Sequence, residues 1–176
     1  YATPADVEDY LQNSAKKPYL LCEFMHDMGN SMGGLGSYMK LIDKYEMYQG
    51  GFIWDFIDQA LWQKLDNNKE VLAYGGDFDD RQTDYGFCTN GIVYADRKPS
   101  PKMQEVRQLY SNIKMKIQNN KLIVKNENLF ADTSDIEFKF VLENEGTFIA
   151  EKSFNLIVQA GQANEINIPQ NMLKDN

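Results

Sequence analysis

The sequence predicts an α/β region followed by an all-β region. Two short apolar runs with a helical pattern between them make a strand–helix–strand unit in the first part. After Tyr110 the texture changes to short alternating segments punctuated by turns, as in a β-sandwich. The switch places the boundary at 111/112, giving regions 1–111 and 112–176.

The first element is a helix. Thr3 can cap it, Pro4 suits the first helical position, and Asp6 falls in the first turn. Val7, Tyr10 and Leu11 form one apolar face as far as Asn13. Ala15-Lys16-Lys17-Pro18 then turns, and Tyr19 to Cys22 reads as a buried strand ending on Glu23. A carboxylate there must find partners or shift its pKa. Glu23 is therefore either a reactive group or an ordinary ion-pair partner of a nearby Lys or Arg.

The next helix is expected to be capped by Asn30 or Ser31, with Met32, Leu35, Met39 and Ile42 facing inward and Gly33, Gly34 and Gly36 in its first turns. These glycines weaken a helix interior and invite close backbone approach, but their spacing fits neither phosphate-binding motif. Gly50-Gly51-Phe52-Ile53 opens a second strand, apolar on both faces as in a buried parallel sheet, that ends among Trp54, Asp55 and Asp58. Residues 62–90 have little periodicity and many aromatics, which points to functional loops. Ser100-Pro101 opens a helix with Met103, Val106, Leu109 and Tyr110 as its stripe. In the tail, strands are expected at Ile113–Ile117, Leu122–Val124, Ile136–Leu142, Phe154–Val158 and Ile166–Ile168.

Composition narrows the function. The 176 residues carry a formal charge of −8, which disfavours nucleic acid and anionic membranes as partners. No run approaches the roughly 18 apolar residues that span a bilayer, and no signal-type segment opens the chain. Cys22 and Cys88 show neither zinc spacing nor a disulfide framework, so a reduced, cytoplasmic setting is expected. Two βα units fall short of a closed barrel, which needs about 250 residues, and five strands fall short of the roughly seven of a sandwich. The expectation is a piece of a larger protein.

The motifs Leu21-Cys22-Glu23-Phe24-Met25-His26-Asp27-Met28-Gly29-Asn30-Ser31, Gly50-Gly51-Phe52-Ile53-Trp54-Asp55-Phe56-Ile57-Asp58-Gln59, Tyr74-Gly75-Gly76-Asp77-Phe78 and Phe87-Cys88-Thr89-Asn90-Gly91 occur in that order. Together, over about residues 18–111, they resemble the large bacterial β-galactosidases of glycoside hydrolase family 2. The tail resembles, more weakly, the immunoglobulin-like domain that follows the barrel in that family. The resemblance implies the last two βα units of a (β/α)₈ TIM barrel followed by a partial immunoglobulin-like β-sandwich. It implies retaining hydrolysis of terminal β-galactosides such as lactose.

By the same resemblance Glu23 matches the nucleophile and Tyr1 the tyrosine beside it. His26 matches a galactose-binding histidine, and otherwise reads as a satisfied loop histidine. Trp54 matches the aromatic platform under the sugar, and otherwise reads as a core tryptophan. Phe87, through its carbonyl, and Asn90, through its amide oxygen, match ligands of a sodium ion that holds the sugar; without the match Asn90 is a turn residue. The acid/base glutamate, the Mg²⁺ ligands and a third Na⁺ ligand are implied to lie outside this chain. Asp55 and Asp58 are read as structural hydrogen-bonding groups rather than substitutes for the missing acid. The chain alone is therefore expected to be inactive and prone to self-association, and the full-length protein to be a homo-oligomer. The rival readings are a β-glucuronidase or β-mannosidase of the same family, and a non-catalytic sugar-binding or interaction module.

Overall fold

The computed structural model describes residues 1–13 and 15–173. They form two compact units, Tyr1–Tyr110 and the segment from Ser111 onward.

In the first unit, α1 (Pro4–Asn13) starts as the sequence dictates. Thr3 donates its backbone N–H and its hydroxyl to Asp6 Oδ2 at 2.8 and 2.6 Å, while Asp6 N–H donates back to Thr3 Oγ1 at 3.2 Å. This reciprocal arrangement satisfies donors that a helix start otherwise leaves free. β1 (Tyr19–Phe24) and β2 (Tyr48–Ile53) pair in parallel, with Phe24 opposite Ile53, and α2 (Leu35–Lys44) crosses between them. Val7 and Leu11 of α1, Leu35, Tyr38 and Leu41 of α2, and Val106 of α3 (Met103–Tyr110) share one core with Leu21, Phe24 and Tyr48.

Several boundaries differ from the sequence reading. Helix α2 begins after Gly34, whose φ of 93° excludes it from the helix, so neither Asn30 nor Ser31 is the cap. Ser31 instead donates its hydroxyl to the carbonyl of His26 at 2.9 Å. Ile42 is exposed, and Tyr38 takes the inner position. The strands are not buried on both faces: Leu20, Cys22 and Phe52 are exposed, because the helices cover only the side that carries Leu21 and Phe24. The stretch after residue 60 contains a hairpin, β3 (Leu61–Lys64) with β4 (Glu70–Ala73), antiparallel from Leu61–Ala73 to Lys64–Glu70. Tyr110 closes α3 exposed rather than on its inner stripe.

The second unit is β-rich. β5 (Ile113–Gln118), β6 (Lys121–Asn126) and β9 (Ala163–Asn167) form one antiparallel sheet in the order β5-β6-β9. β7 (Phe138–Asn144) and β8 (Thr147–Phe154) form another. Leu122, Val124, Phe138, Val158 and Ile168 make their common core. The strand expected at Phe154–Val158 is instead the end of β8 followed by irregular chain. Its backbone is claimed by buried side chains: Thr133 donates its hydroxyl to Leu156 O at 2.5 Å and accepts from Val158 N at 2.8 Å.

Asn126 is fully buried and closes the same region. Its amide donates to Ala131 O at 2.8 Å and Val158 O at 3.0 Å, and its oxygen accepts from Asn128 N at 3.0 Å. An Asn126→Ala change removes the partner of three backbone groups, of which the Val158 carbonyl lies in a buried bond. The expected loss is about 3 kcal/mol of unfolding free energy. An unchanged urea midpoint would show that these bonds are replaced by water.

Candidate active site

A parallel pair brings the C-terminal ends of both strands to the same edge, so Glu23 near the end of β1 and Trp54 just past β2 emerge together. Glu23 is partly buried, neither turned fully into water nor enclosed in hydrocarbon. Tyr1 donates its phenolic O–H to Glu23 Oε1. That residue is brought in because Tyr38, on the inner face of α2, donates its hydroxyl to Ala2 O at 2.8 Å. That bond occupies one side of the Glu23 carboxyl and fixes the direction of its remaining lone pairs.

Beyond Phe24 the strand is broken by Met25, in the left-handed region at φ 52°. His26 follows, with its ring centroid 6.5 Å from that of Tyr1 and 5.6 Å from that of Phe87. Tyr1, Glu23, His26 and Phe87 therefore form one continuous cluster along the strand edge. Trp54 N–H donates to Phe24 O at 3.1 Å and Asp27 N–H to Trp54 O at 2.8 Å, which ties the His26 loop to the end of β2.

The Trp54–Asp55 peptide is cis. Residues 55–58 run beside 90–93: Asp55 N–H donates to Asn90 O at 2.8 Å, Ile92 N–H to Asp55 O at 3.2 Å, and Val93 N–H to Phe56 O at 3.0 Å. Asn90 is 1% exposed. With its amide oriented to satisfy both neighbours, its nitrogen donates to Asp55 Oδ1 at 3.1 Å and its oxygen accepts from Trp54 Nε1 at 3.3 Å. Trp54 keeps 41% of its surface open, so it is no core tryptophan: its N–H is anchored and the rest of the indole is partly exposed.

Asp55 and Asp58 do structural work. Asp58 Oδ1 accepts from Gly91 N at 2.8 Å, and Asp55 Oδ2 accepts from Gln59 Nε2 at 3.0 Å. Burial pushes the Asp55 carboxyl above its usual range, against the Gln59 bond that favours its charge; nearby Asp58 adds to the rise and His26 opposes it.

Asp27 and Lys102 had no place in the sequence reading. The Asp27 side chain is wholly buried, and burial raises its pKa. Lys102 Nζ lies 3.1 Å from Asp27 Oδ1, yet it directs its donors to the carbonyls of Asp27 at 2.6 Å and Gly29 at 3.3 Å. The carboxylate thus has an ion-pair partner but no well-directed hydrogen bond. The signal available in the sequence was an acid placed immediately after a buried strand end, which demands a cation from elsewhere.

Among the described residues no cluster of three or more His, Cys, Asp or Glu could hold a metal ion, and no helix is long and apolar enough to cross a membrane. Phe87 O and Asn90 Oδ1 are neutral hard donors of the kind Na⁺ accepts. Asn90 spends one oxygen lone pair on Trp54 and keeps another.

Residues 1–115 match the family described as glycosyl hydrolases family 2, TIM barrel domain, and residues 122–176 match beta-galactosidase, domain 4. A protein of Halalkalibacterium halodurans named beta-galactosidase is 61% identical over 158 residues, covering 90% of this chain and 16% of that protein. One of the same name from Clostridium acetobutylicum is 50% identical over 169 residues, 96% of this chain and 19% of its own. A beta-galactosidase large subunit from Lactobacillus helveticus is 60% identical over 111 residues, 62% of this chain and 18% of the relative. The chain thus spans less than a fifth of the length of these relatives. With the matched domain covering well over half of its residues, the chain belongs to glycosyl hydrolases family 2.

Proposed function

We propose that this chain is part of a retaining β-galactosidase that hydrolyses terminal β-D-galactosides such as lactose. The observation that carries the proposal is the half-buried Glu23 at a strand end, holding the Tyr1 hydroxyl, with His26 beside the Tyr1 ring and Phe87 beside His26. A carboxylate oxygen of Glu23 attacks the anomeric carbon. The bond to the leaving oxygen breaks as that oxygen takes a proton from an acid outside this chain, about 5–5.5 Å from Glu23. Water then cleaves the galactosyl ester on the same face, its proton returning to that second carboxyl, so configuration is retained.

Tyr1 orients Glu23, Trp54 supplies the apolar platform, and His26 and Asn90 bind sugar hydroxyls. Phe87, through its carbonyl, and Asn90, through the remaining lone pair of its amide oxygen, would hold Na⁺, whose charge anchors a sugar hydroxyl. The Mg²⁺ ligands belong to other parts of the enzyme. In this reading residues 1–111 supply the last two βα units of a (β/α)₈ barrel. Residues 112–176 begin an immunoglobulin-like sandwich, and the full-length enzyme is a cytoplasmic homo-oligomer.

The test is a panel of chromogenic β-galactoside, β-glucuronide and β-mannoside, given to the full-length enzyme and to the 176-residue chain. Turnover of the galactoside by the full-length enzyme alone is expected. Preference for another sugar, or appreciable turnover by the isolated chain, overturns the assignment.

A further inference from the structure

We propose that Lys102 is a positioning residue of this site: from the start of the segment leading into α3 it clamps the loop that presents His26, and Asp27 is its buried counter-charge. The proposal rests on the galactosidase reading for its readout, but its evidence is separate from the residues that touch sugar.

The loop from Met25 to Asn30 leaves β1 through a left-handed residue and has no regular structure until α2. Such a segment is free to move unless its backbone is tied. Three ties are present. Ser31 Oγ donates to His26 O at 2.9 Å, Asp27 N–H donates to Trp54 O at 2.8 Å, and Lys102 Nζ donates to Asp27 O and Gly29 O at 2.6 and 3.3 Å. The first two are local or shared with the neighbouring strand end. Among the described residues only Lys102 spans the far side of the loop, and it does so from a position 75 residues later in the chain.

Lys102 is itself only 18% exposed at its side chain, so burying its ammonium among carbonyls alone would be unfavourable. Asp27, fully buried, supplies the compensating charge at 3.1 Å. Asp27 in turn feels Asp55 and Asp58, which disfavour its ionised form, and Lys102 offsets them. The ammonium therefore serves both ends of the loop: it holds the backbone on either side of Met28 and keeps a buried carboxylate paired within one residue of His26.

The consequence is a division of labour between binding and chemistry. Glu23 belongs to β1 and is oriented by Tyr1, so loosening the loop leaves it in place. His26 loses its fixed position. Displacements of about 1 Å in a positioning group can cost up to about 100-fold in catalytic efficiency.

The experiment compares wild type, Lys102→Met, Lys102→Arg, Asp27→Asn and Glu23→Gln in the full-length enzyme, with folding checked by circular dichroism. Lys102→Met is expected to lose about 10- to 100-fold in kcat/KM, carried mostly by KM. Lys102→Arg, which can still donate to both carbonyls, recovers part of the loss, and Asp27→Asn, which keeps both carbonyl bonds but removes the counter-charge, shows a measurable loss smaller than that of Lys102→Met. Affinity for a non-hydrolysable thio-β-galactoside, measured by calorimetry in the Glu23→Gln background, weakens in parallel with KM. If Lys102→Met does not fold, the Lys102→Arg protein and this affinity measurement decide in its place. Wild-type KM and affinity in a folded Lys102→Met protein, or in Lys102→Arg and Asp27→Asn a loss of stability with kinetics untouched, refute the clamp while leaving the glycosidase reading standing. Full activity of Glu23→Gln refutes the glycosidase reading instead.

Discussion

Glu23→Gln in the full-length enzyme is expected to lower kcat by on the order of 10⁴-fold or more while leaving sugar affinity nearly unchanged. Glutamine has the same shape and keeps an oxygen that can accept from Tyr1, so the bond that orients residue 23 survives the change. What disappears is the charge and the nucleophilic lone pair, and neither Asp55 nor Asp58 can replace them. Asp55 is held by Gln59 and Asn90, and Asp58 by the Gly91 N–H. His26, Trp54 and Asn90 are untouched, so a thio-β-galactoside should bind within a few-fold of wild type. The smaller Glu23→Gly variant sharpens the test, because azide entering the vacated space can attack the same carbon. An activated β-galactoside should then yield an α-galactosyl azide. Turnover by Glu23→Gln within tenfold of wild type would remove this residue from the chemistry.

What the sequence disclosed here and what it withheld divide along physical lines. Local devices were legible. Thr3-Pro4 with Asp6 specified the start of α1, and Asn119-Asn120, with φ of 51° and 57°, specified the turn between β5 and β6. The turn at Glu145-Gly146, with φ of 49° and 79°, uses the same geometry, but glutamate is an uncommon first residue there. β8 accordingly runs over Thr147–Phe154, ahead of the apolar segment Phe154–Val158 that the sequence marks as a strand. The β3–β4 hairpin went unseen because its strands are four residues each and do not alternate cleanly.

The site itself was legible only in part. Glu23 announced itself as an acid at the end of an apolar run. Its contact with Tyr1, the Asn90 bridge between Trp54 and Asp55, and the Lys102 clamp on Asp27 all join residues far apart in sequence. No periodicity encodes such pairs; the chain path through β1, α2 and β2 creates them. The exposed Leu20, Cys22 and Phe52 show the same limit from the other side. An apolar run states that a face wants cover, and it does not state which residues supply it.

The largest structural effect is expected at a residue with no side chain at all. A methyl placed on Gly91 would lie 2.2 Å from Asp58 N, 2.5 Å from Ile57 C and 2.5 Å from Val93 O. All three are backbone atoms, so no rotamer change relieves the overlap, and segments 55–58 and 90–93 must separate. That separation breaks the Gly91 N–H bond to Asp58 and strains those between Asp55 and Asn90 and between Val93 and Phe56. Gly91→Ala is therefore expected to cost about 3 kcal/mol or more in unfolding free energy. Because Asn90 is the next residue, its bridge to Trp54 should fail as well, raising KM more than it lowers kcat. Gly33→Ala is the matched control: an added Cβ there meets nothing within 4 Å, and its φ is not positive. It should stay within about 0.5 kcal/mol of wild type. Denaturant midpoints and KM for both variants in the full-length enzyme make the comparison. Equal midpoints would mean that the backbone around Asp58 yields without loss, and that the close approach at Gly91 does not set the position of Asn90.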